Sequence, residues 1–270
     1  MTVPVSKEAR GVAIALLSTA VFVTVVAVVL TRSPGWGAFK TYFLDWGIYE
    51  ESFPEILAAF WVNVKLFLIA ELIILPAALL LAVLRSLPGP VFFPIRALAI
   101  VYADLFRGIP TILVIFMLGF GMPALGISWM PQSQFFWAVV SLVLVYTAYV
   151  SEVYRAGIDS VHSSQEAAAR SLGLSHGQSM SFVVLPQAVR RVIPPLLNDF
   201  IGLQKDTALV GSLGVVEAFK QAQINQSATF NGTPYLVAAT LFVAITIPLA
   251  RFTDWLIGRN RKQQQAGRLA

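Results

Sequence analysis

The stretch that decides the fold is Gln165-Glu166-Ala167-Ala168-Ala169-Arg170-Ser171-Leu172-Gly173, followed nine residues later by Val183-Val184-Leu185-Pro186. Its strong helix formers and its glycine predict a short surface helix, a bend with a Ser-His-Gly-Gln turn, and then re-entry into an apolar segment. The polar interval that contains it, Gly157 to Gln187, is too long for a simple connection. A small-residue face on such a helix suits docking into a groove on another subunit, although a helix that merely caps a membrane domain fits the same pattern.

Apolar segments long enough to cross a bilayer surround this interval. Hydrophobic residues make up 57% and charged residues 12% of the chain, and the mean hydropathy is +0.74. These values exclude a water-soluble fold and leave room for about six spans of about 20 residues. The predicted spans are 11–30, 56–84, 93–122, 135–154, 189–210 and 235–257. The first is interpreted as a retained span, because its apolar run exceeds that of a usual cleaved signal peptide.

Basic residues occupy alternate flanks of these spans. They are Lys7, Arg10, Arg85, Arg96, Arg155, Arg170, Arg190, Arg191, Arg259, Arg261, Lys262 and Arg268. By the positive-inside rule those flanks are cytoplasmic, so both termini are predicted to lie inside. The net charge of +5 is therefore explained by membrane topology, and no nucleic-acid partner is expected.

The Ala-rich loop resembles the EAA loop of the permease subunits of ABC importers, which is that family's contact with its ATPase. Four more motifs are similar to the polar amino-acid branch, the histidine, glutamine and glutamate permeases. They are Phe106-Arg107-Gly108-Ile109-Pro110, Ala148-Tyr149-Val150-Ser151-Glu152, Pro186-Gln187-Ala188 and Lys205-Asp206-Thr207-Ala208-Leu209. The resemblance covers roughly residues 53 to 257 and implies an all-α, MetI-like membrane fold of the type I importers, with a five-helix core and one extra N-terminal helix.

The same resemblance implies a division of the chain and a set of coupling residues. Residues 1–52 are expected to form a cytoplasmic stub, the extra span and an external loop. Residues 53–258 are expected to form the permease domain with its coupling loop at 157–187, and residues 259–270 a basic tail. The expected ATPase-coupling residues are Gln165, Glu166, Ala167, Ala168, Ala169, Arg170, Gly173, Leu185 and Pro186.

One residue departs from the family pattern. The family's glutamate position falls on Ala167, whereas the glutamate of this chain is Glu166. A shift of one residue turns a helical side chain by about 100°. Either Glu166 meets the same partner from another angle, or the loop relies on its small-residue face and Arg170.

Ionisable groups inside apolar spans are candidates for a transport pathway, because each is costly unless it is paired or hydrated. The candidates are Asp104, Arg107, Glu152, Asn198, Asp199, Lys205, Asp206 and Thr207. Asp104 and Arg107 lie three residues apart, which predicts an ion pair with Glu152 as a possible third member. As the alternative, Arg107 binds the carboxylate of a transported amino acid. The basic side chains inside the membrane slightly favour an acidic substrate.

The second polar group lies on the fifth predicted span. Lys205 with Asp206 or Asp199 is able to hold both ends of a zwitterion, and an internal ion pair is the alternative. Lys65 and Glu71 lie six residues apart in the second span and are interpreted as packing or snorkelling residues.

The partners follow from what the sequence lacks. It has no phosphate-binding G-x-x-x-x-G-K-[ST] loop, so we predict that this chain is not an enzyme and that ATP and magnesium bind a partner. The resemblance implies two copies of a cytoplasmic ABC ATPase, a second identical or homologous permease, an extracytoplasmic solute-binding protein, and location in a prokaryotic cytoplasmic membrane.

No cofactor or metal is expected on this chain, since it has no cysteine and only two histidines, both in one polar loop. An ion-coupled secondary transporter is the alternative function, but no internal repeat is visible. A membrane enzyme or a scaffold is a more distant alternative.

Overall fold

The fold was analysed in a computed structural model that describes the backbone of residues 7–87 and 89–269, and all their side chains except those of residues 7–9, 176 and 260–269. The described chain is helical and contains no strand in those ranges. Its α-helices are α1 (Lys7–Thr31), α2 (Trp36–Phe43), α3 (Trp46–Arg85), α4 (Phe93–Gly108), α5 (Thr111–Ala124), α6 (Gln134–Asp159), α7 (Ser163–Ser171), α8 (His176–Ser179), α9 (Leu185–Asp206), α10 (Ala218–Thr229) and α11 (Thr233–Leu269). A π-helical turn, Met180–Val184, precedes α9 and a 3₁₀ segment, Thr207–Leu213, follows it. The all-α membrane fold predicted from the sequence is confirmed.

Four helical segments of the described chain are long and apolar enough to cross a membrane, and the second of them joins α2 and α3. They are Arg10–Thr31, Trp36–Arg85, Gln134–Asp159 and Thr233–Arg259. These cover the first, second, fourth and sixth predicted spans. The side chains of the predicted basic tail from residue 260 onward lie outside the described residues.

The third predicted span is not one straight helix. α4 and α5 meet at a bend of 103°. Ile109 has an extended backbone with φ −93° and ψ 130°, because the ring of Pro110 disfavours helical geometry in the residue before it. The prediction of a single helix over residues 93–122 is therefore wrong, and the pair has the bent geometry of a broken span or a re-entrant loop.

The fifth predicted span corresponds to α9, which is helical but too polar to qualify by composition. It carries two arginines, a lysine and two aspartates within 22 residues. The total of six spans stays a prediction.

The core forms where α3, α5, α6 and α9 pack together. Its fully buried side chains include Leu66, Ile74, Ile115, Leu142 and Leu203. α3 packs along α6, and α11 covers α3 and α9. None of the hydrophobic window of α1 is buried against the rest of the chain, so this helix offers its whole apolar surface to lipid or to another subunit.

α6 and α9 approach closely at Gly157. A methyl group added to this residue would collide with Val192, whose side chain occupies the space beside it. Since α9 continues directly from the segment that follows α7, the crossing connects the polar loop to the helix core. The absence of a side chain at residue 157 is what allows this packing distance.

The N-terminal extension, residues 7–52, is bound through α2 to the connection between α10 and α11. The Gly232 amide donates to the Tyr42 carbonyl at 2.8 Å, and the Asn231 amide group donates to the Thr41 carbonyl at 2.9 Å. The Asp45 amide donates to the Thr233 hydroxyl at 3.2 Å. These bonds hold α2 against the connection between α10 and α11.

Candidate coupling surface and transport pathway

The Ala-rich stretch forms the predicted surface helix. α7 begins after His162, whose ring nitrogen accepts a hydrogen bond from the Ser164 amide at 3.2 Å. It ends at Ser171, and Gly173 then adopts φ +90°. That left-handed conformation is strained for other residues and common in the glycine that ends a helix. The sequence interpretation of this helix and its bend is confirmed.

The segment after the bend differs from the prediction. Residues 175–178 do not form a simple turn, because Ser175 and Gln178 cap a new helix. The Gln178 amide donates to the Ser175 hydroxyl at 3.3 Å, and the Ser175 amide donates to the Gln178 side-chain carbonyl at 2.9 Å. This is a capping box with glutamine in the third position. From α8 the chain then runs through the π-helical turn into α9, so the loop returns to the core as nearly continuous helix.

An apolar patch covers the outer side of this helical pair. We define the coupling surface as Ala167, Ala168, Leu172 and Phe182, all exposed. Leu172 is 84% and Phe182 is 71% exposed. Two large apolar side chains this accessible, next to alanines that permit close approach, are typical of a surface that another protein covers.

The inner side of the same loop is packed against the helix core. Ala169 and Val184 are each 5% exposed, and Val184 packs with Val161 and Ala188 in one apolar cluster. Glu166 is partly buried, whereas Gln165, Arg170, Gly173, Leu185 and Pro186 are exposed. The predicted coupling residues therefore lie together on one loop, with most of them accessible.

A four-residue charge cluster joins α3, α4 and α6 next to this loop. Glu152 contacts Arg85, lies 3.3 Å from the Arg107 guanidinium and accepts a hydrogen bond from Arg155 at 2.8 Å. The Arg85 side chain is 9% exposed. We call these residues the Glu152 cluster, and it places three cations around one carboxylate.

The predicted Asp104–Arg107 ion pair is not formed among the described side chains, since Arg107 turns to Glu152. Asp104 is exposed on α4. Spacing of three along one helix permitted that pair, but the crossing of α4 over α6 brings a better-placed carboxylate to the arginine. Arg107 keeps 42% of its side chain exposed.

A cavity of about 400 Å³ lies between the end of α6 and α9, beside Glu152. Glu152, Gly157, Ser160, Arg191 and Pro195 contribute to its wall. Arg191 of α9 donates to the backbone carbonyl of Ser160, at the end of α6. Residues of the loop and of the charge cluster therefore line the same cavity, so a movement of the loop displaces the ends of the helices directly.

The polar residues of α9 differ in their exposure and in their hydrogen bonds. Asn198 and Lys205 are exposed, whereas the Tyr146 hydroxyl donates to Asp206 at 3.0 Å. No ion pair links Lys205 to Asp206 or Asp199 among the described side chains, so the predicted internal pair is absent. Exposed amide and ammonium groups on a helix in the membrane domain require water or a protein partner beside them.

Thr207, predicted as a pathway residue, is instead part of a buried hydrogen-bond network. Asn63 of α3 donates to the Thr207 hydroxyl at 3.0 Å and to the Glu217 carboxylate at 3.0 Å. The Phe219 and Lys220 amides donate to the same carboxylate at 2.9 and 2.7 Å. The Ala218 backbone amide donates to the side-chain oxygen Oδ1 of Asn63 at 3.0 Å. We call Asn63, Thr207 and Glu217 the Asn63 network.

Sequence reasoning missed Asn63 and Glu217. The available signal was a lone amide inside an otherwise apolar helix, which must find partners when it is buried. Glu217 also precedes α10, where an acidic side chain satisfies free amides of the first turn.

Glu71 and Asp199 face each other across the junction of α3 and α9. Glu71 is 7% exposed, so it does not snorkel to the membrane surface, whereas a place in the packing of the helices agrees with its burial. One oxygen of each carboxylate is buried without a hydrogen-bond partner in the described structure. Among the described residues, these two acids included, no group of three or more His, Cys, Asp or Glu side chains has the arrangement of a metal site.

Comparison with known proteins shows that the sequence matches a protein family. Residues 74–262 match the family described as the binding-protein-dependent transport system inner membrane component. The arginine transport system permease protein of Bacillus subtilis is 31% identical over 219 residues, which cover 81% of this chain and 98% of that protein. The probable glutamine ABC transporter permease protein of the same organism is 35% identical over 173 residues, covering 64% and 79%.

A solved structure shares the fold. The crystal structure of an amino acid ABC transporter with histidines matches with a TM-score of 0.70 at 30% identity, over 76% of this chain and 94% of that one. The chain therefore belongs to the binding-protein-dependent transport system inner membrane component family, as a permease subunit of the amino-acid ABC importers.

Proposed function

We propose that this permease forms, together with a second identical or homologous permease, the translocation pathway of an importer for polar amino acids. Two cytoplasmic ABC ATPases bind this assembly, one at the coupling surface of each permease. ATP and magnesium are held on those partners. An extracytoplasmic solute-binding protein delivers the amino acid. Both termini lie on the cytoplasmic side of a prokaryotic membrane in this arrangement.

The observation that carries this proposal is the coupling surface itself. Leu172, next to the bend at Gly173, and Phe182, in the π-helical turn, are exposed on a loop whose inner side is packed on the helix core. An ATPase that bound Leu172 and Phe182 would bury two large apolar side chains at once, which favours association. Because α8, the π-helical turn and α9 follow each other without a flexible linker, movement of the bound loop tilts α9.

Two further features support the assembly. The arginines Arg85, Arg155 and Arg191 lie at the end of the helix core that also holds the coupling surface, as expected for a cytoplasmic side. Asn198 and Lys205 are exposed on α9, which suits a helix that lines an aqueous pathway beside a second permease.

Uptake of a panel of labelled amino acids tests the proposal. Proteoliposomes would contain the permease with its co-purifying subunits, with the binding protein added outside and ATP supplied inside. We expect uptake of at least one polar amino acid that depends on both ATP hydrolysis and the binding protein. Uptake driven by a sodium or proton gradient without an ATPase would instead support the ion-coupled alternative.

A further inference from the structure

Glu71 is a buried acid without a partner in the middle of α3. Only 7% of the residue is exposed, and its Oε1 atom makes no hydrogen bond within the described structure. A carboxylate in such a place is costly unless a cation, a donor or a proton reaches it. The arginines of the Glu152 cluster do not pair with Glu71, because they contact Glu152 at the end of the helix.

A second acid faces Glu71 from α9. The rings of Phe67 and Phe200 meet at 5.6 Å between centroids, which fixes the contact of α3 with α9. Glu71 lies one helical turn after Phe67, and Asp199 is the residue before Phe200. Both acids therefore lie near this contact, and Asp199 is close enough to act electrostatically on Glu71. The Asp199 Oδ2 atom is also buried without a hydrogen bond.

The helix α6 contributes two tyrosines near these acids, and its arginine, Arg155, is paired with Glu152. Tyr154 lies within electrostatic reach of Glu71, and Tyr146 lies within reach of Asp199 while it donates to Asp206. The Lys205 ammonium attracts the Asp206 carboxylate electrostatically, without forming an ion pair with it. Among the described side chains no lysine or arginine forms an ion pair with Glu71 or Asp199, so this junction has two unbalanced negative groups and acceptors for several hydrogen bonds.

We propose that Glu71 and Asp199 bind the cationic side chain of a transported amino acid, and that the substrate class is amino acids with a basic side chain. This inference rests on the function proposed above. A guanidinium or ammonium group supplies the missing donors and neutralises both carboxylates. The ammonium of a neutral amino acid matches only one of them, and an acidic amino acid adds two carboxylates to a site that is already negative.

The inference reverses the sequence-based preference for an acidic substrate. That preference came from Arg107 and its neighbours, which were counted as free cations in the membrane. The structure engages Arg85, Arg107 and Arg155 with one glutamate. Glu71 and Asp199, by contrast, each have a buried oxygen that receives no hydrogen bond from a described residue.

The test is ligand binding to the purified permease–ATPase complex in detergent without the binding protein, measured by calorimetry. Arginine, lysine, glutamine and glutamate would be compared at equal ionic strength, set with choline chloride. We expect saturable binding of arginine and lysine, weaker binding of glutamine and none of glutamate. Glu71→Gln and Asp199→Asn should each weaken arginine binding by about tenfold or more.

Asp254→Asn is the matched control, because it makes the same change in an acid whose side chain is 66% exposed and paired with Arg251 on α11. It should bind arginine like the unmodified complex. Equal binding of glutamate and arginine, or arginine binding that is unchanged in both Glu71→Gln and Asp199→Asn, would overturn the inference.

Uptake in the complete system separates this inference from the function on which it rests. ATP-driven uptake confined to neutral or acidic amino acids would overturn the substrate class and leave the importer intact. Absence of ATP-driven uptake for every amino acid would overturn the proposed function itself.

Discussion

Two groups of buried polar residues in this permease have opposite hydrogen-bonding states. In the Asn63 network, Glu217 accepts from one side chain and two backbone amides, and Asn63 is used as both donor and acceptor. Glu71 and Asp199 each keep a buried oxygen without a partner. The first group is complete within the chain and therefore stabilises it, whereas the described residues leave the second without donors for two buried oxygens.

The comparison predicts opposite effects of removing an acid. Glu217→Ala leaves the Phe219 and Lys220 amides and the Asn63 side chain without their acceptor in a fully buried site. We expect a loss of about 4 kcal/mol of stability, or roughly 10 °C in the thermal midpoint of the detergent-solubilised protein. Thermal unfolding followed by tryptophan fluorescence measures it.

Asn63→Ala provides the check on this network. Because both changes remove the hydrogen bond between Asn63 and Glu217 and lie in one network, the double variant should be less destabilised than the sum of the single variants. Full additivity would show that the two residues act separately.

The Glu152 cluster falls between the two groups, since it is paired but carries excess positive charge. Glu152→Ala leaves Arg85, with a side chain only 9% exposed, without a counter-ion. We expect a loss of about 3 kcal/mol in the same unfolding experiment. Asp254→Asn removes an exposed pair from α11 and should leave the midpoint almost unchanged. Equal effects of the two variants would contradict the structural role of the cluster.

Glu71→Gln should have the reverse effect on stability. Removing one of two facing negative groups relieves repulsion, so we expect unchanged stability or a gain of about 1 kcal/mol, together with the loss of binding described above. Thermal unfolding in the absence of amino acids gives the sign. A large destabilisation would place Glu71 with the Asn63 network as a structural residue.

How far the sequence predicts the structure differs between the loop and the membrane interior. The surface helix and its bend followed from local signals, a run of alanines and Gly173, and both are present. The capping role of Ser175 and Gln178 was also local and readable, but the glycine between them was interpreted as a turn. The break at Pro110 had the same local character, although the apolar composition of residues 93–122 concealed it.

Pairing inside the membrane domain was not predictable in the same way. Asp104 and Arg107 are neighbours along one helix, yet the partner of Arg107 comes from α6. Thr207 belongs to a network whose other members are 144 and 10 residues away in the chain. Such contacts depend on how helices cross, which spacing within one helix does not determine.

The most direct test of the coupling surface is retention of the partner ATPase on the affinity-tagged permease after Phe182→Asp. The matched control is Phe230→Asp, which changes a phenylalanine that is 82% exposed at the end of α10, away from the loop. We predict that Phe182→Asp folds normally but loses the ATPase and ATP-driven uptake, whereas Phe230→Asp retains the ATPase. Full retention of the ATPase and normal uptake by Phe182→Asp would contradict the proposal that this surface couples ATP hydrolysis to transport.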